Sequence, residues 1–300
     1  MLITLPNTDI TLFWPGLVLL GLSIGFITGM FGVGGGFLLT PCIKNIFGVP
    51  YEIAVGSDLA LICLNTFIST IKQWKKKAVD VKLGMVMIVG ALCGTEIGGR
   101  FLKLLGNRGT FMFSGRRVSL MDTVMNGVFL VLISFIALSM HRETTKNSDN
   151  DVSTSLSRFF HRLSIVPQIS LPHSGIPSIS AWVPFCMAGL VGFLTGFLGI
   201  GGGFLTFPLL VYVVGVPTLN AVGTNAFMVV FSSLYGALRN GNIALPVVML
   251  LFSGSFIGVH YGVKAAHIID GHKIRKNFIY VLVAGILVVT WGIVRDIFIM

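Results

Sequence analysis

Gly25-Phe-Ile-Thr-Gly-Met-Phe-Gly-Val-Gly-Gly-Gly-Phe-Leu-Leu-Thr-Pro41 and Gly192-Phe-Leu-Thr-Gly-Phe-Leu-Gly-Ile-Gly-Gly-Gly-Phe-Leu-Thr-Phe-Pro208 are two copies of one stretch, identical at 11 of 17 positions. The same offset of 167 residues aligns Gly48-Val49-Pro50 with Gly215-Val216-Pro217, Gly56-Ser57-Asp58 with Gly223-Thr224-Asn225, and Lys72 with Arg239. After a three-residue deletion the offset becomes 164, which sets Gly90, Gly94 and Gly98 against Gly254, Gly258 and Gly262, and Glu96 and Arg100 against His260 and Lys264. The chain therefore reads as one repeat over 1–140, a second over 181–300, and a polar linker over 141–180. The linker holds Arg142, Glu143, Lys146, Asp149, Asp151, Arg158 and Arg162 among many Ser and several Pro.

Each repeat is made of five apolar runs, at about 11–31, 36–48, 53–71, 83–99 and 119–140, then 181–199, 203–214, 219–238, 243–263 and 277–296. Most approach the roughly 20 residues that cross a hydrocarbon core. Hydrophobic residues make up 54% of the chain and charged ones only 11%, with a mean hydropathy of +0.90. A soluble domain carries about 25% charged residues, so the composition predicts an all-α, polytopic membrane protein of about ten hydrophobic segments, embedded in a lipid bilayer.

The net charge of +10 does not point to nucleic acid, because the Lys and Arg residues lie almost wholly between apolar runs. The first run has no basic segment before it and reads as a retained span, not a signal peptide. Cys42, Cys63, Cys93 and Cys186 all lie inside apolar runs without paired spacing, so they read as packing residues and predict neither a metal site nor a disulfide framework. No cofactor motif is present, and no constellation of an intramembrane enzyme.

If every run crosses, each repeat has an odd number of spans and the two insert with opposite topology, an arrangement known in transporters. Ten spans with an outside N-terminus place thirteen Lys and Arg on one side and seven on the other, which favours inverted repeats. The basic loop at 100–117 goes against that bias. Were 36–48 and 203–214 re-entrant instead, with eight runs crossing, the charges would split almost evenly.

A helix loses about 1 kcal/mol for each Gly relative to Ala, so the triplets Gly34-Gly35-Gly36 and Gly201-Gly202-Gly203 predict breaks in the helices. Irregular backbone at membrane depth is tolerated where it is buried or lines a cavity, and the N–H groups of the helix start that follows favour anions. Close helix packing through small residues is the competing reading. A dinucleotide or phosphate loop is excluded by Phe37 and Phe204, which stand where those motifs need Gly or Lys.

The paired glycine segments, the Gly-Val-Pro turns, the following Gly-Ser-Asp or Gly-Thr-Asn, and the Arg239-Asn-Gly-Asn-Ile243 loop together resemble the sulfite exporter TauE/SafE family of membrane transporters. The likeness covers both repeats. It implies a secondary transporter, an exporter of sulfite or a small organosulfonate across the bacterial inner membrane. Two departures are Lys75-Lys76-Lys77, where a short Gly-Asn turn is usual, and the long 100–117 loop.

The expected substrate site is a small anion held between the breaks by backbone N–H groups of Gly34, Gly35, Gly36, Gly201, Gly202 and Gly203, with Ser57, Thr224 and Asn225 as side-chain donors and donors in excess over acceptors. Asp58 is an ionisable residue in a span and needs a reason to be there. It lines the path or carries a coupling proton, makes structural hydrogen bonds, or sits at the interface. Glu96 and Arg100 form a helical i, i+4 pair, whose equivalents are His260 and Lys264. His260, with Lys72 and Arg239 at the ends of matching spans, are candidates for coupling or gating, although orientation signals explain the two cations about as well. A passive anion channel of the same architecture is the alternative, and a homodimer is compatible with either.

Overall fold

The computed structural model describes residues 2–4, 11–106, 110–113, 116–146, 157, 165–199 and 201–298. Arg108 and the linker charges Asp149, Asp151, Arg158 and Arg162 lie outside them. The first repeat region contains α1 (Trp14–Phe31), α2 (Gly36–Phe47), α3 (Tyr51–Lys75), α4 (Val81–Gly106) and α5 (Leu120–Lys146). The second contains α6 (Trp182–Leu198), α7 (Gly203–Leu209, extended by a π turn over Leu210–Val214), α8 (Thr218–Asn240), α9 (Leu245–Ile268) and α10 (Gly271–Phe298).

Three antiparallel hairpins, β1 (Leu2–Thr4) with β2 (Thr11–Phe13), β3 (Thr110–Phe113) with β4 (Arg116–Ser119), and β5 (Gln168–Leu171) with β6 (Ile176–Ser180), lie between or before the helices. Part of the linker is thus folded. Ser174 donates to Asp80 Oδ2 at 2.8 Å and Asn220 donates to the His173 carbonyl at 2.7 Å, which docks the β5–β6 hairpin onto the starts of α4 and α8.

Among the described residues seven helices, α1, α3, α4, α5, α8, α9 and α10, are long and apolar enough to cross a bilayer. Three apolar helices are shorter: α2, α6 and α7 with its π turn. The expectation of about ten hydrophobic segments thus resolves into seven of spanning length and three short ones. Their boundaries follow local chemistry. Both α3 and α8 begin after a proline, Pro50 and Pro217, and both preceding helical segments stop at a glycine of positive φ, Gly48 at 70° and Gly215 at 83°.

Glycine also sets the packing. Gly21, Gly25 and Gly29 of α1 lie directly against the backbone of Leu251, Ser255 and Val259 of α9, where a Cβ would overlap the partner. Gly90, Gly94 and Gly98 of α4 lie in the same way against Phe185, Gly189 and Phe193 of α6. Small residues let helices in lipid gain contact where no hydrophobic drive separates tail from Leu. Residue numbers rise together in both pairs, so each pair is parallel. In α3 and α8 the order is opposed: Gly56 meets Asn242, Leu59 meets Gly236, and Gly223 meets Ala78. These two central helices are antiparallel. The outer faces carry exposed large apolar residues such as Leu19, Phe67, Ile97, Phe135, Leu190 and Leu238, a surface suited to lipid and not to water.

Candidate functional site

The glycine segments are turns. Gly32, Gly34 and Gly35 have φ of 68°, 79° and 78°, and their repeat equivalents Gly199, Gly201 and Gly202 have 71°, 67° and 63°. This left-handed backbone is easily reached only without a Cβ. The chain does not continue along its axis after the turn. Gly35 rests against Ile24 and Thr28, and Gly16 near the start of α1 rests against Phe47 at the end of α2, so α2 runs back along α1. In the second region Gly202 rests likewise against Val191 and Thr195.

The two hairpin tips touch. Gly203 lies against the backbone of Val33, Gly32 against that of Val222, and the Phe37 and Phe204 rings stack at 5.2 Å between centroids. Ile62 of α3 fills the space between them, facing both Gly34 and Gly201. Glycines inside the helices serve close packing, and those between helices turn the chain and, at Gly32, also pack against a neighbouring backbone.

Gly34, Gly35, Gly36, Ser57, Asp58, Gly201, Gly202, Gly203, Thr224 and Asn225 are all buried at or beside this contact. Asn225 Nδ2 donates to the Gly32 carbonyl at 3.1 Å and to the Gly203 carbonyl at 2.9 Å, one from each turn. The turn leaves the Gly32 carbonyl past the end of α1, outside the helical ladder, and the amide supplies its partner while its second hydrogen reaches the Gly203 carbonyl in the first turn of α7. Asp58 Oδ2 accepts a hydrogen bond from Thr40 on α2. Ser57 Oγ accepts from the Ala244 amide at 2.9 Å, and Thr224 Oγ1 accepts from the Asp80 amide at 2.9 Å. Each hydroxyl thus ties its own helix to the residue that precedes the fourth helix of the other region.

These geometries revise the expected excess of donors. Asp58 Oδ1 and Asn225 Oδ1 are both buried oxygens without a hydrogen-bond partner among the described residues. The amide hydrogens of Asn225 are consumed by backbone carbonyls, and the oxygens are what the side chains have left to offer. Thr40 and Ile62 are the residues that sequence reasoning passed over. A signal for Thr40 existed: it aligns with Phe207, so position 40/207 changes polarity where 58/225 changes charge between the copies, and Thr40 and Asp58 turn out to be partners.

Of the residues singled out for coupling or gating, only Lys72 and His260 are brought together. Asp58 is at the centre. Lys72 Nζ lies 2.5 Å from His260 Nδ1 in the last turns of α3, and Arg239 forms an ion pair with Glu96 in the last turn of α8. Because α3 and α8 are antiparallel, those two clusters sit at opposite ends of the bundle. Glu96 also accepts from Arg100 Nε at 2.7 Å, the expected i, i+4 pair, and from the Tyr235 hydroxyl at 2.6 Å.

Residues 17–289 match the family described as Sulfite exporter TauE/SafE. The chain is 29% identical over 259 residues to "Probable membrane transporter protein YunE" of Bacillus subtilis, covering 82% of this chain and 86% of that protein. It is 25% identical over 280 residues to a "Probable membrane transporter protein" of Xylella fastidiosa, covering 89% and 91%. It is also 23% identical over 298 residues to "Probable membrane transporter protein MJ0441" of Methanocaldococcus jannaschii, covering 93% and 94%. No solved structure matches. With the match running from α1 into α10 and taking in both glycine turns, this multi-pass membrane protein belongs to the sulfite exporter TauE/SafE family.

Proposed function

We propose that the chain is a secondary transporter that exports a small oxyanion, sulfite or an organosulfonate, by alternating access of two inverted repeats. The observation that carries the reading is the contact of the two glycine hairpins, bridged by Asn225 through one carbonyl of each. A bond of this kind holds only while the two tips stay together, so separating them opens the centre of the bundle. Three features support inversion: α3 and α8 run in opposite directions, α1 pairs with α9 as α6 pairs with α4, and Ser57 and Thr224 make reciprocal bonds across the regions. A rotation about an axis in the membrane plane reverses equivalent helices; one about the membrane normal does not.

The solute would bind where the tips meet. Its oxygens would take the N–H groups of Gly34–Gly36, Gly201 and Gly202, the Gly203 N–H expected beside them being already donated to the Gly201 carbonyl at 2.8 Å, and the Ser57 and Thr224 hydroxyl hydrogens would add to them. Asp58 Oδ1 and Asn225 Oδ1 would accept from a hydrogen on the solute, as hydrogensulfite or an aminosulfonate provides. Burial of every one of these groups, with Ile62 and the Phe37–Phe204 stack between them, supports a gated path over an open channel.

The test is a thermal-shift screen of purified protein against sulfite, sulfate, thiosulfate, sulfoacetate, taurine and simple carboxylates, followed by flux in vesicles. A ligand that binds only the folded state raises apparent stability by mass action. Stabilisation by sulfite or a sulfonate, with flux that accumulates solute against a gradient, is expected. Stabilisation by carboxylates alone would overturn the substrate class, and flux that only dissipates gradients would favour the channel.

A further inference from the structure

Glu96, Arg100 and Arg239 at one end of the bundle occupy the positions of His260, Lys264 and Lys72 at the other. In the first cluster a carboxylate gathers Arg100, Arg239 and the Tyr235 hydroxyl around itself. In the second the carboxylate is replaced by an imidazole. Lys72 Nζ donates to His260 Nδ1 at 2.5 Å, which leaves the ring hydrogen on Nε2 as a further donor. No Asp or Glu pairs with Lys72 or Lys264 among the described residues. The cluster therefore has the donors of its counterpart without the anion.

Its surroundings say where an anion would come from. Phe256, Ile257, Tyr261 and Ile268 on α9 and Ile71 and Trp74 on α3 all point outward, at the level of the cations or beside them. Lys264 Nζ lies 5.9 Å from the centre of the Tyr261 ring, and aromatic and basic side chains of this kind collect where hydrocarbon meets headgroups. We propose that Lys72, His260 and Lys264 form a binding site for the phosphate of an anionic phospholipid, in the leaflet at the Lys75–Lys77 end. The acyl chains cover the outward apolar side chains and the phosphate takes the place that Glu96 fills at the opposite end. A freely diffusing anion would satisfy the cations and leave those faces uncovered. Among the described residues of the opposite cluster, Glu96 already pairs with Arg100 and Arg239 and occupies that place. This assignment does not depend on the transported solute.

Protein purified in neutral detergent would be titrated with phosphatidylglycerol, phosphatidylcholine, inorganic phosphate and sulfate, reading melting temperature and lipid adducts by native mass spectrometry. Phosphatidylglycerol alone should stabilise the wild type and remain bound. Each lysine removed, in Lys72→Ala and Lys264→Ala, should weaken its affinity about fivefold, the worth of one basic residue at a membrane surface. His260→Glu places a carboxylate between Lys72 and Lys264 as Glu96 stands between Arg100 and Arg239, so that variant should keep its fold and lose the lipid. Unchanged occupancy in His260→Glu and in the lysine variants would overturn the proposal. Equal stabilisation by phosphate or sulfate, or by phosphatidylcholine, would overturn it as well, the first two in favour of a free anion.

Discussion

Asp58 and Asn225 stand at equivalent places in the two halves, one residue after hydroxyls that make equivalent bonds, yet they do different work. Asn225 reaches across to both glycine turns and holds them together. Asp58 reaches only to Thr40 in its own half and leaves one oxygen without a partner. An amide has hydrogens to give to stray backbone carbonyls, and an ionised carboxylate has none. Duplication thus preserved the backbone, where sterics allow little change, and let the side chains divide the tasks of clamp and acceptor.

Seven variants test that division, in falling order of expected effect. Because the turns are alike, Gly35→Val and Gly202→Val should be equally damaging: each puts a β-branched residue at positive φ and a Cβ into the preceding helix, a loss above about 4 kcal/mol that would appear as lost monodisperse protein in size-exclusion chromatography. A clear difference between the two would break the equivalence of the turns.

Asn225→Leu should cost about 2 kcal/mol by leaving the Gly32 carbonyl buried and unpaired and removing the bond to the Gly203 carbonyl, read as a lower unfolding midpoint and a loosened hairpin contact in cross-linking. If Asp58→Leu proves as harmful, the clamp is not confined to one half. Thr40→Val, which removes the hydroxyl that donates to Asp58, should lower stability by about 1 kcal/mol, and Phe207→Leu should leave the polar network of its half intact.

Asp58→Asn should change stability least, by less than about 1 kcal/mol, since it supplies the amide that the other half already uses. Its effect should be on function. If Asp58 carries a coupling proton, solute binding by thermal shift persists while flux in vesicles no longer depends on an imposed pH gradient. Flux with the same pH dependence would reduce Asp58 to a structural acceptor.

The duplication, the membrane class and most helix positions were legible in the chain because apolar periodicity and glycine placement are local signals. Extents were less so: α3 continues through Lys72 and Lys75, α5 through Lys146, and 168–180 pair into a hairpin within the linker. Charge gave no warning of these, since a helix leaving the bilayer continues into water while its carbonyls still have partners. The glycine triplets announced a break but not its sense. Whether α2 goes on or turns back depends on which side of α1 offers Ile24 and Thr28 to Gly35, and that is settled by contacts between helices.

Sequence by itself determined that apolar helices lie in a bilayer and that they break near the glycine triplets Gly34–Gly36 and Gly201–Gly203, because each follows from chain chemistry within a few residues. Only the tertiary structure decided that the two turns touch, that Asn225 spends both hydrogens on carbonyls 193 and 22 residues away, and that Glu96 gathers Tyr235 and Arg239 from another helix. The physical reason is that a polar side chain in a dry interior takes whatever partner the packing brings within about 3 Å, and a linear chain carries no record of that distance.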